Sequence, residues 1–197
     1  MKRTIDIVGS AVLLAVSAPL IAAAALALRV THGGPVLFRQ QRSGLGGVPF
    51  TLLKLRTMSS PRPGRDGPEF DGERLHRLGR VLRATSIDEL PALINVLRGE
   101  MSLVGPRPLP VAYLARYNDT QARRLHVRPG ITGWAQVNGR NAVDWDERLA
   151  MDVWYVDHRS LLLDARILLR TVGTVLGRKG IAHDSAATMH EFRGSTQ

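Results

Sequence analysis

The chain contains no cysteine in its 197 residues, which excludes disulfides, cysteine–zinc sites and thiol catalysis and says nothing firm about compartment. Aromatic residues make up only 5% of it, too few to supply many stacking platforms for single-stranded nucleic acid. No G-x-x-x-x-G-K-[ST] occurs, and no G-x-G-x-x-G opens a helix. The glycines of "SGLGG" (43–47) therefore read as a plain turn rather than a phosphate loop. Acids are outnumbered, with 17 Asp and Glu against 27 Lys and Arg and a formal net charge of +10. The partners of such a chain are anions: nucleic acid, lipid headgroups or phosphorylated small molecules. The length fits one domain, at most with an appendage, and is enough to bury a sizeable core.

Charge is also missing locally, because no residue from Ile7 to Leu28 is ionisable. As one helix this run is roughly 33 Å long, enough to cross a hydrocarbon core of roughly 30 Å. A cleaved signal peptide is disfavoured, since the run is long for such a segment and Arg29 follows at once. In its middle, Pro19 lacks an amide proton and its ring crowds the carbonyl of Ala15. The Ser17 hydroxyl can return to a carbonyl near Leu13, which satisfies one backbone group and bends a helix. Basic residues flank both ends, Lys2 and Arg3 before, Arg29, Arg39 and Arg42 after. The positive-inside tendency then keeps both ends cytoplasmic and gives a helix that enters, breaks and returns. An ordinary kinked span is the alternative, and these residues alone do not separate the two.

Beyond this segment, Val36–Phe38 and Pro49–Leu55 read as short strands of a hairpin around the glycine turn. "SSPRPGRDGPEFDG" (59–72) is a proline- and glycine-rich loop. "ERLHRLGRVLRA" (73–84) reads as one helix with Arg74, Arg77, Arg80 and Arg83 on one face and Leu75, Leu78 and Leu82 on another. Such a basic amphipathic helix lies most simply on anionic headgroups. Arg83 stands apart because only five positions separate it from Asp88. Proline on both sides of Arg107 in "GPRPLP" limits the conformations lost when that arginine grips a ligand. Arg128 and Arg140 sit on glycine-rich turns with Trp134 between them. The helix "SLLLDARILLRTVGTVL" (160–176) reads as core or interfacial, and 183–197 as a flexible tail.

The adjacent acids in "ATSIDELPAL" allow two accounts. In one they cap a helix: Asp88 as N-cap puts Pro91 at a tolerable third position, whereas a Ser86–Glu89 capping box drives Pro91 deeper. In the other they do chemistry. Neighbours on a helix point about 100° apart, so the two carboxylates would do different jobs. A helix start near Arg83, Arg107 and Arg140 is a phosphate site. A carboxylate there is repelled by its ligand unless it is the nucleophile. "DWDERLAMD" holds a D-x-D, Asp144 and Asp146, but Asp144-x-x-Glu147 is also a capping signature and capping is favoured.

The pieces "KRTIDIVGSAVLL", "GGPVLFRQQRSG", "FTLLKLRTM", "LRATSIDELPALINVLRGEMSLVGPRP", "VRPGITGWAQVNGRN" and "DVWYVDHRSLLLDARIL" cover residues 2 to about 180. In them the chain resembles the small monotopic polyprenyl-phosphate phosphoglycosyl transferases of the bacterial sugar transferase family. "TSIDELP" together with "MSLVGPRP" is very specific, and it turns the reading of Asp88 and Glu89 from capping to chemistry. The resemblance implies an α+β, mostly helical fold: a re-entrant membrane helix (1–30) with its break at Ser17–Pro19, a membrane-associated catalytic domain with a short hairpin (31–182), and the tail. It implies that Asp88 attacks the β-phosphorus of a UDP-sugar, releases UMP and forms an aspartyl phosphosugar. Polyprenyl (undecaprenyl) phosphate then takes the sugar-1-phosphate. It further implies Mg²⁺, held by Asp88 and Glu89, with Glu89 coordinating or handling protons. Arg83, Arg107, Arg140 and Lys54 match phosphate-holding positions, and Asp157, Asp164 and Arg128 match recurrent positions without a fixed role. The implied place is the cytoplasmic face of the inner membrane, against anionic lipids, with no nucleic-acid partner and with an oligomer allowed. Two departures stand out: the break reads Ser17-Ala18-Pro19 where some relatives have adjacent Ser-Pro, and Ala92 replaces a frequent polar residue.

Three rivals remain open at this point. One is a metal-dependent glycosyltransferase using Asp144 and Asp146 and releasing UDP. The others are a basic nucleic-acid-binding protein with a membrane tether and a non-catalytic membrane scaffold. Which sugar is transferred is open, as is the glycan begun, whether exopolysaccharide, O-antigen, capsule or glycoprotein.

Overall fold

The computed structural model describes residues 1–60, 64, 70–139, 143–177 and 191–194. Helix α1 spans Lys2–His32, and Pro19 lies inside it without ending it. Ser17 Oγ donates to the Leu13 carbonyl at 2.6 Å, the backbone return expected from the sequence. Among the described residues α1 is the one helix long and apolar enough to cross a membrane. Val8, Val12, Val16, Leu20, Leu26 and Val30 are all exposed on it.

Both ends of α1 nevertheless lie against the rest of the chain. Near its start, Asp6 is buried and its Oδ1 accepts from Ser102 Oγ (3.0 Å) and from the Leu103 amide (3.1 Å). Arg3 donates to the carbonyls of Val96 (2.7 Å) and Leu97 (3.1 Å). Near its end, Ala24 and Leu28 pack with Leu55 and Leu82.

Strands β1 (Leu37–Ser43) and β2 (Pro49–Leu55) form the antiparallel hairpin, with Leu37 opposite Leu55. The helix expected over 73–84 is two pieces, α2 (Asp71–Arg74) and α3 (Arg77–Ala84). The chain is extended at Leu75 and His76, and the His76 ring accepts from the Gly79 amide at 2.8 Å, so this histidine starts α3 instead of continuing α2. A 3₁₀ segment, Ile87–Ala92, leads into α4 (Leu93–Arg98). Strands β3 (Ser102–Val104) and β4 (Gly130–Thr132) make a separate parallel pair. Between them lie a 3₁₀ segment, Val111–Arg116, and α5 (Asp119–Ala122). Helices α6 (Trp134–Asn138), α7 (Trp145–His158) and α8 (Leu161–Leu176) follow. The fold is thus mostly helical with a short hairpin, as expected.

The main core joins Phe50 and Leu52 of β2, Leu93 and Val96 of α4, Leu103 and Val104 of β3, Tyr155 of α7 and Ile167 of α8. Asn95, fully buried, ties α4 to β2: its Oδ1 accepts from the Leu53 amide (3.1 Å) and its Nδ2 donates to the Thr51 carbonyl (2.8 Å). A third cluster holds Leu109, Tyr113, Leu149 and Phe192. Phe192 lies in the stretch expected to be a flexible tail, yet it is buried and its amide donates to Tyr113 Oη at 3.1 Å. An aromatic side chain among Tyr113, Tyr117 and Trp145 gains more from burial than a free end gains in entropy.

Candidate active site

Between α3 and the 3₁₀ segment the chain reverses at Ser86, whose φ of 57° puts it in the left-handed region, alone among the described non-glycine residues. Neither capping reading survives this geometry. A capping residue must be extended, and Ser86 is not, so its side chain makes no cap. Asp88 lies within the first turn rather than before it. The tight turn brings Arg83, at the end of α3, back toward Asp88. In a 3₁₀ segment adjacent residues point about 120° apart, so Asp88 and Glu89 enter different surroundings.

Glu89 Oε1 accepts from Lys54 Nζ at 2.6 Å and from Arg107 Nη2 at 2.7 Å. Burial alone pushes its carboxyl upward, but Arg107 and Lys54 outweigh burial and hold it well below the usual carboxylate range. Asp88 is buried, and burial with the Glu89 charge pushes its carboxyl up to about 6 against the pull of Lys54, Arg83 and Arg107. One carboxylate is therefore locked as an ion and its neighbour is poised. Burial lowers the Lys54 ammonium, with Glu89 opposing, whereas Glu89 raises the Arg107 guanidinium.

The basic groups are fixed by the fold. Lys54 lies on β2, two residues beyond the main-core Leu52 and across from Phe38. Arg83 donates Nε to Thr57 Oγ1 at 2.9 Å, and burial lowers its guanidinium. Gly79 lets α3 approach this point, because a Cβ there would stand 2.1 Å from the Thr57 carbonyl oxygen. The loop carrying Arg107 lies on β4, where a Cβ on Gly130 would stand 2.1 Å from the Gly105 amide nitrogen. Lys54, Glu89 and Arg107 line a shallow open cleft, together with Arg42, Leu52, Ala92, Met101, Pro108, Gly130 and Ile131.

The remaining candidates lie elsewhere. Arg140 is outside the described residues. Arg128 donates Nε to the Gly99 carbonyl (2.8 Å), closing the end of α4 beside the bonds from Arg3. Asp157 pairs with Arg123 on the surface. Asp164 is buried and accepts from Lys2 Nζ (2.6 Å) and Tyr155 Oη (2.7 Å), which fastens α8 to the start of α1. Asp144 caps α7 through the Glu147 amide at 2.8 Å, and Asp146 accepts from Gln121 at 3.3 Å. The D-x-D is thus engaged in holding α7.

Sequence reasoning missed Arg42, Arg124 and Asp152. Arg124 and Asp152 form a buried pair at 2.8 Å, and Arg124 also donates to the Arg107 carbonyl at 2.6 Å. Arg42 was read only as a charge flanking the membrane segment, although its place on a strand facing the glycine turn was a signal.

A match to the bacterial sugar transferase family covers residues 1–178. The chain belongs to this family. It is an enzyme, a sugar-phosphate transferase. It is 48% identical over 195 residues to the uncharacterized sugar transferase EpsL of Bacillus subtilis, covering 99% of this chain and 96% of that one. It is 50% identical to the UDP-glucose:undecaprenyl-phosphate glucose-1-phosphate transferase of Caulobacter vibrioides, over 89% of this chain and 69% of that protein. Against the undecaprenyl-phosphate galactose phosphotransferase of Salmonella typhimurium identity is 40% over 91% of this chain, which spans only 41% of that protein.

Proposed function

We propose that this family member transfers a sugar-1-phosphate from a UDP-sugar to polyprenyl phosphate through a phosphosugar carried on Asp88. The observation that carries the reading is the divided carboxylate pair, with Asp88 buried and poised while its neighbour Glu89 is locked by Lys54 and Arg107. The undecaprenyl-phosphate sugar phosphotransferases named among the relatives support the same reaction.

In this mechanism an Asp88 carboxylate oxygen attacks the β-phosphorus of the donor. The bond from that phosphorus to the bridging oxygen breaks, and UMP leaves with the electron pair. The resulting acyl phosphate is then attacked by an oxygen of polyprenyl phosphate, which forms the lipid diphosphate and returns Asp88 as a carboxylate. Phosphoryl transfer asks mainly for in-line placement and neutral surroundings for the non-bridging oxygens. Arg107 and Lys54 supply that charge on the cleft side and Arg83 on the α3 side.

Among the described residues no three His, Cys, Asp or Glu stand together as a metal cage. A divalent ion held by one or two carboxylates and by substrate phosphate needs no cage, and this is the magnesium pattern. Asp88 and Glu89 are the carboxylates that would hold it, Glu89 ionised but with its Oε1 already given to Lys54 and Arg107, so the ion would depend largely on substrate phosphate. Bound magnesium would neutralise phosphate oxygens, the part played here by the basic side chains.

The reading places α1 in the cytoplasmic leaflet with both ends on one side, its exposed valines and leucines toward lipid and the domain at the surface. The contacts at both ends support this: Asp6 with Leu103, and Leu28 with the cluster around Leu55. A nucleophile so placed meets a soluble nucleotide sugar and a lipid phosphate at one boundary. The relatives' names include glucose, galactose and N-acetylgalactosamine, so the panel of donors must include all three.

The test is nucleotide release from UDP-sugars, with Mg²⁺ and polyprenyl phosphate each present or omitted. UMP released only when both are present is the expected result. UDP release would instead mean direct glycosyl transfer, and would overturn the role of Asp88.

A further inference from the structure

We propose that Arg42 is a second phosphate-binding residue of the cleft and holds the phosphate that departs with the nucleotide. This inference rests on the reading of the cleft as a UDP-sugar site. Arg42 lines the cleft together with Lys54, Glu89 and Arg107. Its position is fixed by backbone: it bridges to Pro110, and the next residue, Ser43, donates both its amide (3.0 Å) and its hydroxyl (3.1 Å) to the Leu109 carbonyl. The end of β1 is thereby pinned to the loop that carries Arg107.

The guanidinium itself is under-used. Nη2 donates to Gln40 Oε1 at 2.5 Å and Nη1 reaches the Pro108 carbonyl at a long 3.4 Å. Nε is buried and has no hydrogen-bond partner. A buried N–H without an acceptor is costly unless a ligand or water supplies one. Burial and the Arg107 charge together bring this guanidinium down to about 10, the mark of a cation short of counter-charge. An arginine offers a planar set of donors suited to phosphate oxygens.

Position decides which phosphate. The register sets Arg42 opposite Phe50, four residues along β2 from Lys54. Arg42 therefore stands toward the far end of the cleft from Lys54, the end this proposal assigns to the second phosphate of the donor. It also lies away from the C-terminal end of α1. Leu37, at the start of β1, packs with Ala24 and Leu28, and Arg42 is five residues on, roughly 17 Å along the strand. That favours the water-soluble nucleotide over the lipid phosphate.

The experiment titrates UMP into the full-length protein in nanodiscs by calorimetry, comparing wild type, Arg42→Ala, Arg42→Gln and Arg42→Lys. KM for a short-chain polyprenyl phosphate and the thermal midpoint are measured alongside. At least tenfold weaker UMP binding is expected for Ala and Gln, with partial recovery for Lys and with unchanged lipid KM and midpoint. Equal UMP affinity in wild type and either uncharged variant would overturn the proposal, as would a defect confined to the lipid KM or wild type that binds no UMP. UMP release from a UDP-sugar is scored separately. Its absence, with UMP affinity still dependent on Arg42, would remove the catalytic reading and leave the phosphate ligand standing.

Discussion

Arg124 donates Nη2 to the main-chain carbonyl of Arg107 at 2.6 Å. The same guanidinium is paired with Asp152, and both side chains are almost wholly buried. The arginine that reaches Glu89 is therefore held from behind by a second arginine that is itself buried. Asp152, on α7, sets the cleft by fixing Arg124.

Removing Asp152 should therefore damage both stability and chemistry. Asp152→Ala leaves the Arg124 charge buried and unpaired, which costs about 3–5 kcal/mol in such sites. Chemical denaturation in detergent should register that loss. In the double variant Arg124→Met, Asp152→Leu, most of the stability should return. UMP release should not, because the Arg107 carbonyl has lost its donor. Equal recovery of both would mean that Arg124 serves only the core.

Asp88 should show a conflict between stability and function. Its folded carboxyl titrates at about 6 against an ordinary 3.8, so the folded state favours the protonated acid. A raised carboxylate pKa means that stability falls as pH rises from about 4 to about 6, and the full penalty is present above that window. A shift of about two pKa units corresponds to about 3 kcal/mol at most. Asp88→Asn should then be about 1–3 kcal/mol more stable than wild type at pH 8 and nearly equal at pH 4. It should release no UMP and show no phosphosugar adduct by intact mass. A variant no more stable at pH 8 would place the shift elsewhere.

The same carboxyl sets the acid side of the rate profile. Only ionised Asp88 attacks phosphorus, so turnover should fall about tenfold per pH unit well below about 6. Glu89 stays ionised across this range and should add no second limb above pH 4. Glu89→Gln should cut turnover strongly, because Lys54 and Arg107 lose their common acceptor. If the acid limb of the wild type were centred near 4, Asp88 would not be the group that titrates.

Much of the fold was legible because its signals are local. Asp144 reads as a cap before α7, and it caps. The hairpin followed from two apolar runs around a glycine turn. The parallel pair β3–β4 was not legible, since three-residue strands carry no period and their pairing spans the segment between Val104 and Gly130. In the site, Lys54, Glu89 and Arg107 were named and do meet. Arg42 escaped because its fixing partner, Leu109, is 66 residues away from Ser43. Asp157 and Asp164 had no role that the sequence could fix, because an acid on a helix looks alike whether it takes part in chemistry or pairs with Arg123 or Lys2. Lys2 and Arg3 were read as flanking charge alone, while their donors bond Val104, Val96 and Leu97 across the fold.

The placement of α1 can be tested directly because the chain has no cysteine. A helix of 31 residues is roughly 46 Å long, more than the roughly 30 Å of a hydrocarbon core, so length alone permits a straight crossing. A straight crossing puts Thr4 and Thr31 on opposite sides, yet Asp6 and Leu28 both contact the one catalytic domain. Carrying both contacts across a bilayer would bury charged and polar groups of the domain in lipid, at several kcal/mol for each unpaired group. Single variants Thr4→Cys and Thr31→Cys should therefore react with a membrane-impermeant maleimide from the same side, in inverted vesicles and not in intact cells. Val16→Cys, 75% exposed in the protein alone, should react from neither side if lipid covers it. Thr4 and Thr31 labelled from opposite sides would establish a span and detach one end of α1 from the domain. Rapid labelling at Val16 would mean that the apolar face of α1 is not in lipid at all.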